Sequence, residues 1–236
     1  YYNHYYHVKD IFLSLVYLVH YDDPYYLKFE DYSNKYILPA IPPLPTNLEK
    51  AKKIINNLGF NNQKSLIVIN PNAGLELALD LKRWPPEYFV ELINKLNEKY
   101  KNVLTVLIGS SGERIYVESI VHNVEKKDLV FNIAGETTLG ELLGIFSLTN
   151  LFITIDSGPM HLASLIKTPT IGLFGAETPV LYKPLNENAM VLCKSLYSVP
   201  MFTIYNGKES LLKKNIPIKL ITASEVFKAS EHYLDK

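Results

Sequence analysis

The chain has 236 residues, 47% of them hydrophobic, with 24 Lys+Arg against 24 Asp+Glu; that is room for one large globular domain, or one domain plus part of another. A formal net charge of zero, with no dense local cluster of cations, argues against nucleic acid as a partner. The single cysteine, Cys193, excludes an internal disulfide framework and a cysteine-based zinc site and fits a reducing compartment, although a small apolar packing role would also account for it.

Residues 1 to about 45 are rich in tyrosine and show no alternation of strands and helices. Within them, Val8 to His20 predicts one helix, with Val8, Ile11, Phe12, Leu15, Val16 and Val19 at near-helical spacing. The apolar run from Ile11 to Val19 is too short to span a bilayer and lacks a basic leader and a small-residue cleavage site. The first residue is Tyr1 rather than methionine, which sets the expectation of a preceding segment. His4, His7 and His20 are scattered here without metal-binding spacing. Ile41-Pro42-Pro43-Leu44-Pro45 predicts a stiff extended connector, and a boundary is placed there, dividing residues 1–45 from 46–236.

From Thr46 onward the pattern alternates. Thr46-x-x-Glu49 predicts a capping box opening a helix that ends near Gly59. Strands are expected over Ser65–Ile69, Val103–Ile108, Leu129–Ile133, Leu151–Ile155 and Thr170–Phe174, with Val191 and Leu192 in a short further one. Helices are expected over Pro86–Lys99, Glu113–His122 and Gly158–Ile166, with two more opened by Thr138-x-x-Glu141 and Thr222-x-x-Glu225. The fold class is therefore α/β: a mostly parallel sheet with helices on both faces. Ala176 to Ile221 is the least regular stretch.

Function in open α/β sheets collects at the carboxyl ends of the strands. The first such loop is Asn70-Pro71-Asn72-Ala73-Gly74, followed by Lys82-Arg83-Trp84-Pro85; small residues permit close backbone approach, and Lys82 or Arg83 brings positive charge suited to a diphosphate. Solvated cations with Trp84 as a core plug would explain the same residues. The second is Gly109-Ser110-Ser111-Gly112-Glu113, neither a Walker sequence nor G-x-G-x-x-G; Glu113 either accepts from ribose hydroxyls or simply favours a helix N-terminus. The third, Ala134 to Thr138, exposes backbone that could line a base pocket, though Thr138 as a cap explains most of it.

The fourth is the most specific. In Asp156-Ser157-Gly158-Pro159-Met160-His161 a buried strand stops at a polar turn and a helix begins. Gly158 allows a ligand close to the backbone, and Pro159 suits the first helical turn. The N–H groups of that turn, with Ser157 and His161 beside them, make a candidate phosphate site. A plain helix cap by Asp156 or Ser157 is the alternative, which the position after a buried strand disfavours. Gly175-Ala176-Glu177-Thr178 follows the next strand and could complete one wall. There is no G-x-S-x-G and no H-E-x-x-H.

Together these loops resemble glycosyltransferase family 9, the ADP-heptose:lipopolysaccharide heptosyltransferase group. The resemblance runs from about residue 46 to the end, through Asn70-Pro71-x-Ala73, Lys82-Arg83-Trp84-Pro85, the Gly109 turn with Glu113, Gly135-x-Thr137-Thr138-Leu139-x-Glu141-Leu142, and above all Asp156-Ser157-Gly158-Pro159-Met160-His161-Leu162-Ala163 followed by Thr168-Pro169-x-x-x-Leu173-Phe174-Gly175. It implies the C-terminal, Rossmann-like half of a GT-B enzyme, with residues 1–45 as the tail of the N-terminal acceptor domain and the hinge. It implies a nucleotide-diphosphate sugar donor, ADP-linked, held by Asn70, Ala73, Gly74, Lys82, Gly109, Glu113, Thr137, Asp156, Ser157, Gly158, Met160 and His161, with Lys82 stabilising the diphosphate. The implied transfer needs no metal or other cofactor. The acceptor is a glycolipid or glycan such as lipopolysaccharide, and the location is cytoplasmic, with peripheral contact at the inner membrane. The general base is expected in the acceptor domain, almost all of which this chain lacks. The sequence departs from the pattern at Gly74, where many relatives carry a hydroxyl residue, in a longer stretch before Lys82, and in lacking extra cysteines around Cys193. A non-catalytic nucleotide-sugar-binding module and a GT-B-like epimerase or hydrolase remain as alternatives.

Overall fold

The computed structural model describes residues 7–10, 39–61, 63–72, 82–175, 178–194 and 217–235. Most of the expected helix at Val8 to His20 lies outside them; residues 8–10 are helical.

Among the described residues, six parallel strands form one sheet: β1 (Ser65–Asn70), β2 (Val103–Leu107), β3 (Val130–Asn132), β4 (Leu151–Ile155), β5 (Thr170–Phe174) and β6 (Ala189–Cys193), in the order β3-β2-β1-β4-β5-β6. This is the doubly wound Rossmann order, in which the winding reverses between β1 and β4 and opens a crevice at their carboxyl ends. The central strands are buried along almost their whole length and are mostly apolar because both faces are covered. Ile67 and Ile69 pack into one layer with α2 (Pro86–Lys99), α3 (Arg114–His122) and α7 (Ala223–Leu234). Leu66 and Val68 pack into the other with α1 (Pro45–Asn57), α4 (Leu139–Leu148) and α5 (Gly158–Ile166). A period of two along the strand thus feeds two cores.

The helix starts follow local chemistry, with one correction. Thr138 and Glu141 form the expected capping box of α4, and Thr222 and Glu225 that of α7. Thr46-x-x-Glu49 does not: the cap falls two residues earlier, at Leu44, so that α1 begins at Pro45 with no side-chain cap bond. Proline at the first helical position needs no N–H partner, and Glu49 instead takes Lys52 at 2.9 Å. Gly59 follows α1 at φ +86°, as its stop signal predicts. The irregular stretch after β5 contains α6 (Pro179–Tyr182) and a full β6, where only Val191 and Leu192 were expected. Cys193, at the end of β6, is a free thiol of intermediate burial. Residues 195–216 lie outside the description.

Trp84 joins the first polar loop to the body of the fold. It is fully buried, meets Phe89 edge-on at 4.7 Å between ring centroids, and donates its indole N–H to the Ile221 carbonyl at 2.7 Å. The core-plug explanation is the one the structure bears out for this residue.

Candidate functional site

The reversal point brings the first and fourth loops together. Asn70 ends β1 opposite Thr154 of β4. Its side chain, only 2% exposed, donates to the Ser157 hydroxyl at 2.8 Å and to the Thr154 hydroxyl at 3.4 Å. Lys82 Nζ lies 3.4 Å from Asp156 Oδ2, both partly exposed, so a cation and an anion share the mouth of the crevice. Ser157 is the N-cap of α5 but makes no side-chain cap bond; its hydroxyl is engaged with Asn70 and Thr154 instead. Gly158 is exposed, and a Cβ built on it would meet no atom within 4 Å. The protein's own packing therefore does not demand glycine there.

His161, one turn into α5, is half-buried. Burial pushes its imidazole below the ordinary value, and the neighbouring Asp156 carboxylate opposes that only in part. Burial therefore favours the neutral ring over the imidazolium. Met160 is different: its side chain is fully buried, its sulfur packs at Gly172, and its N–H bonds the Ser157 carbonyl at 3.1 Å. It shapes the floor under the turn and presents neither a side chain nor an unpaired amide to a ligand. Ala73 and Gly74 lie outside the described residues.

The second and third loops form a rim beside this crevice. Glu113 accepts from the N–H and hydroxyl of Ser110 at 2.7 and 2.8 Å, so one carboxylate oxygen is spent on a capping box. Gly135 adopts φ +78°, donates to the Gly109 carbonyl at 2.9 Å, and lies so close to Ser111 that a Cβ would come within 2.7 Å of its Cα. Arg114 bonds the Ala134 carbonyl at 2.9 Å and Glu136 at 2.7 Å, tying the two loops together. Thr137, in the third loop, is half-buried. Arg83 stacks over the Tyr116 ring at 4.3 Å, which leaves Lys82 as the cation of this pair that meets Asp156.

Three residues at the site escaped the sequence reading. Thr154 looked like a core strand residue and is a hydrogen-bond partner of Ser157. Asn72 was read only as part of a loop, yet its amide bonds the Ile108 carbonyl at 2.9 Å. His7 belongs to the tyrosine-rich segment, but its ring contacts the Lys183 carbonyl at 3.1 Å and lies near enough to His161 for their charges to interact. The signal for Asn72 was present in the Asn-Pro-Asn spacing; nothing local marked His7. Among the described residues, no group of three or more His, Cys, Asp or Glu side chains is placed to hold a metal ion.

A small-residue turn at a helix start, a cation–anion pair and a neutral imidazole at a Rossmann reversal point form an arrangement suited to a phosphorylated ligand. The chain is 28% identical over 186 residues to lipopolysaccharide heptosyltransferase 3 of Escherichia coli K12, covering 79% of this chain and 51% of that protein. It is 30% identical over 149 residues to lipooligosaccharide heptosyltransferase 2 of Campylobacter jejuni, covering 63% and 46%. It thus spans about half the length of the curated relatives it matches. Among solved structures, a glycosyl transferase family 9 protein from Veillonella parvula superposes with a TM-score of 0.74 at 24% identity, over 98% of this chain and 61% of that one. E. coli ADP-heptose LPS heptosyltransferase II superposes at 0.65 and 22%, over 83% and 53%; both show the shared fold. The profile of glycosyltransferase family 9 (heptosyltransferase) matches residues 28–211, starting upstream of the Ile41–Pro45 connector. With well over half its length inside that match, the chain belongs to glycosyltransferase family 9.

Proposed function

We propose that this chain supplies the donor site of a metal-independent glycosyltransferase, which moves a heptose-like sugar from an ADP-linked donor to a lipopolysaccharide or other glycan acceptor. The observation that carries the reading is the crevice between β1 and β4. There the Lys82–Asp156 pair at 3.4 Å stands beside the start of α5, and the space next to Gly158 is open. The relatives' names, all heptosyltransferases of lipopolysaccharide or lipooligosaccharide, supply the sugar and the acceptor class.

Breaking the bond between sugar and diphosphate leaves negative charge on the departing group. The Gly158 amide at the start of α5, the positive end of that helix and the ammonium of Lys82 stand where that charge grows, so they stabilise the transition state more than the ground state. Neutral His161 donates a hydrogen bond to the same group. Glu113 has one carboxylate oxygen beyond its capping bonds for the ribose, beside Gly109 and Thr137. The acceptor hydroxyl loses its proton to a base of the acceptor domain, and residues 1–45 form the tail of that domain and the hinge. Catalysis takes place on the cytoplasmic side, with peripheral contact to the membrane that carries the acceptor; among the described residues no helix is long and apolar enough to cross it.

Calorimetric titration with ADP tests this directly: binding is expected, and no heat at millimolar ligand would overturn the reading. His161→Ala is expected to weaken ADP by ~1–3 kcal/mol, the range for hydrogen bonds to charged groups, while leaving adenosine binding nearly unchanged. Equal losses for the two ligands would remove its assigned role. Product analysis with donor alone separates transfer from hydrolysis or epimerisation.

A further inference from the structure

Side-chain hydrogen bonds at the reversal point run from Asn72 to Asn70 and on to Ser157, with one bond returning from Asn70 Nδ2 to the Asn72 carbonyl at 3.3 Å. Asn72 is 3% exposed, and its Nδ2 donates to the Ile108 carbonyl at 2.9 Å. A carbonyl oxygen only accepts, so the amide nitrogen of Asn72 must face it. The second hydrogen on that nitrogen reaches Asn70 Oδ1 at 3.3 Å, and the Asn72 backbone N–H reaches the same atom at 3.4 Å. Two donors converging on one atom require an oxygen there. The nitrogen of Asn70 then faces the other way, toward Ser157 Oγ at 2.8 Å. A backbone carbonyl beyond β2 thereby fixes which end of the Asn70 amide meets the N-cap of α5. Gly109 leaves room for this: a Cβ there would lie 2.5 Å from Asn72 Nδ2.

Thr154 determines the direction of the last link. Its hydroxyl donates to the Ile155 carbonyl at 2.8 Å, so the 3.1 Å contact between the Thr154 and Ser157 hydroxyls carries the proton of Ser157. Ser157 accepts from Asn70 and donates inward. An accepted N–H bond polarises the hydroxyl and makes it a stronger donor. We infer that Asn70, oriented by Asn72, is a positioning residue that holds the Ser157 oxygen while its proton swings from Thr154 to an oxygen of the bound diphosphate. The swing exchanges a neutral hydrogen bond for a charge-assisted one. The inference rests on the donor-site reading above.

A double-mutant cycle on the full chain tests it, with ADP and adenosine as ligands. Asn70→Ala is expected to weaken ADP ~10-fold, the equivalent of one lost hydrogen bond. Adenosine binding should hold within ~2-fold, and so should the further effect of Asn70→Ala on ADP in a Ser157→Ala background, the margin within which independent effects add. Thr154→Val keeps the side-chain shape and removes the competing acceptor, so it should tighten ADP. This opposite sign is one that a merely structural role for the cluster would not produce, and it decides the matter alone if Asn70→Ala does not fold. Failure of the unaltered protein to bind ADP would overturn the donor-site reading and the relay with it. ADP binding with equal Asn70→Ala losses in both backgrounds, with equal losses for the two ligands, or with Thr154→Val weaker than the unaltered protein, would overturn the relay and leave the donor site standing.

Discussion

The two loop clusters at the carboxyl edge of the sheet use the same residue types to opposite ends. Beyond β2 and β3 the polar groups tie the loops to themselves: one Glu113 oxygen returns to Ser110, Glu141 to Thr138, and Arg114 to the Ala134 carbonyl and the Glu136 carboxylate. Beyond β1 and β4 the polar side chains hold one another, Asn70 to Ser157 and Lys82 to Asp156, and α5 is left without a side-chain cap. A glycine marks each cluster. Gly135 has a left-handed backbone pressed on Ser111, whereas Gly158 faces open space. Polar loop composition therefore does not identify a site; what the polar groups are bonded to does.

The widest perturbation should be Trp84→Ala, because this ring anchors the Lys82 loop. A loss of ~3–5 kcal/mol is expected for an aromatic truncated in the core, read from urea denaturation, and a loss below ~1 kcal/mol would show that the loop is held by something else. Next, Gly135→Ala should cost ~1–3 kcal/mol from backbone strain, measured in the same way. Its counterpart, Gly158→Ala, should leave the denaturation midpoint unchanged and weaken ADP ~10-fold by filling the ligand's approach. If Gly158→Ala destabilised the fold and Gly135→Ala did not, the contrast between rim and crevice would be lost.

The smallest effect concerns pH. Burial lowers the imidazoles of His7 and His161 from their ordinary 6.5. Below that value the unfolded chain takes up protons that the folded chain still refuses, so stability is full above it and is lost as pH falls toward the lowered values. The groups facing His7 are Asp10, Lys9 and His161, and Asp156 faces His161. The thermal midpoint should fall between pH 7 and pH 5, and His161→Gln should make that decline shallower; an unchanged slope would mean that His161 does not contribute.

Much of this architecture was readable in advance because strand and helix periodicities are local. Leu151–Ile155, Gly158–Ile166, Thr170–Phe174 and Pro86–Lys99 occupy the expected residues. Two of three capping boxes formed as spaced; the third yielded to Pro45, a competing start signal one residue away. Of the candidate site, the grouping of Lys82, Asp156 and Ser157 at one strand end could be anticipated from a small polar turn after an apolar strand, and the structure brings Lys82 to Asp156 and Ser157 to Asn70. Met160 was misleading. Its place inside the motif suggested ligand contact, but its angular position on α5 carries it into the core. Glu113 carries a capping role that spacing could show, while a ribose contact depends on what lies across the loop.

Sequence alone therefore determined the alternation of elements, the α/β class and the turn at which α5 begins, since each rests on interactions between residues a few positions apart. Tertiary structure decided the strand order, and with it that Asn70 meets Thr154 and Ser157 more than eighty residues later. It also decided that Arg83 turns to Tyr116 while Lys82 reaches Asp156. These pairings depend on how a twisted parallel sheet stacks its helices, and no periodicity along the chain encodes which side-chain partner comes within hydrogen-bonding distance across it.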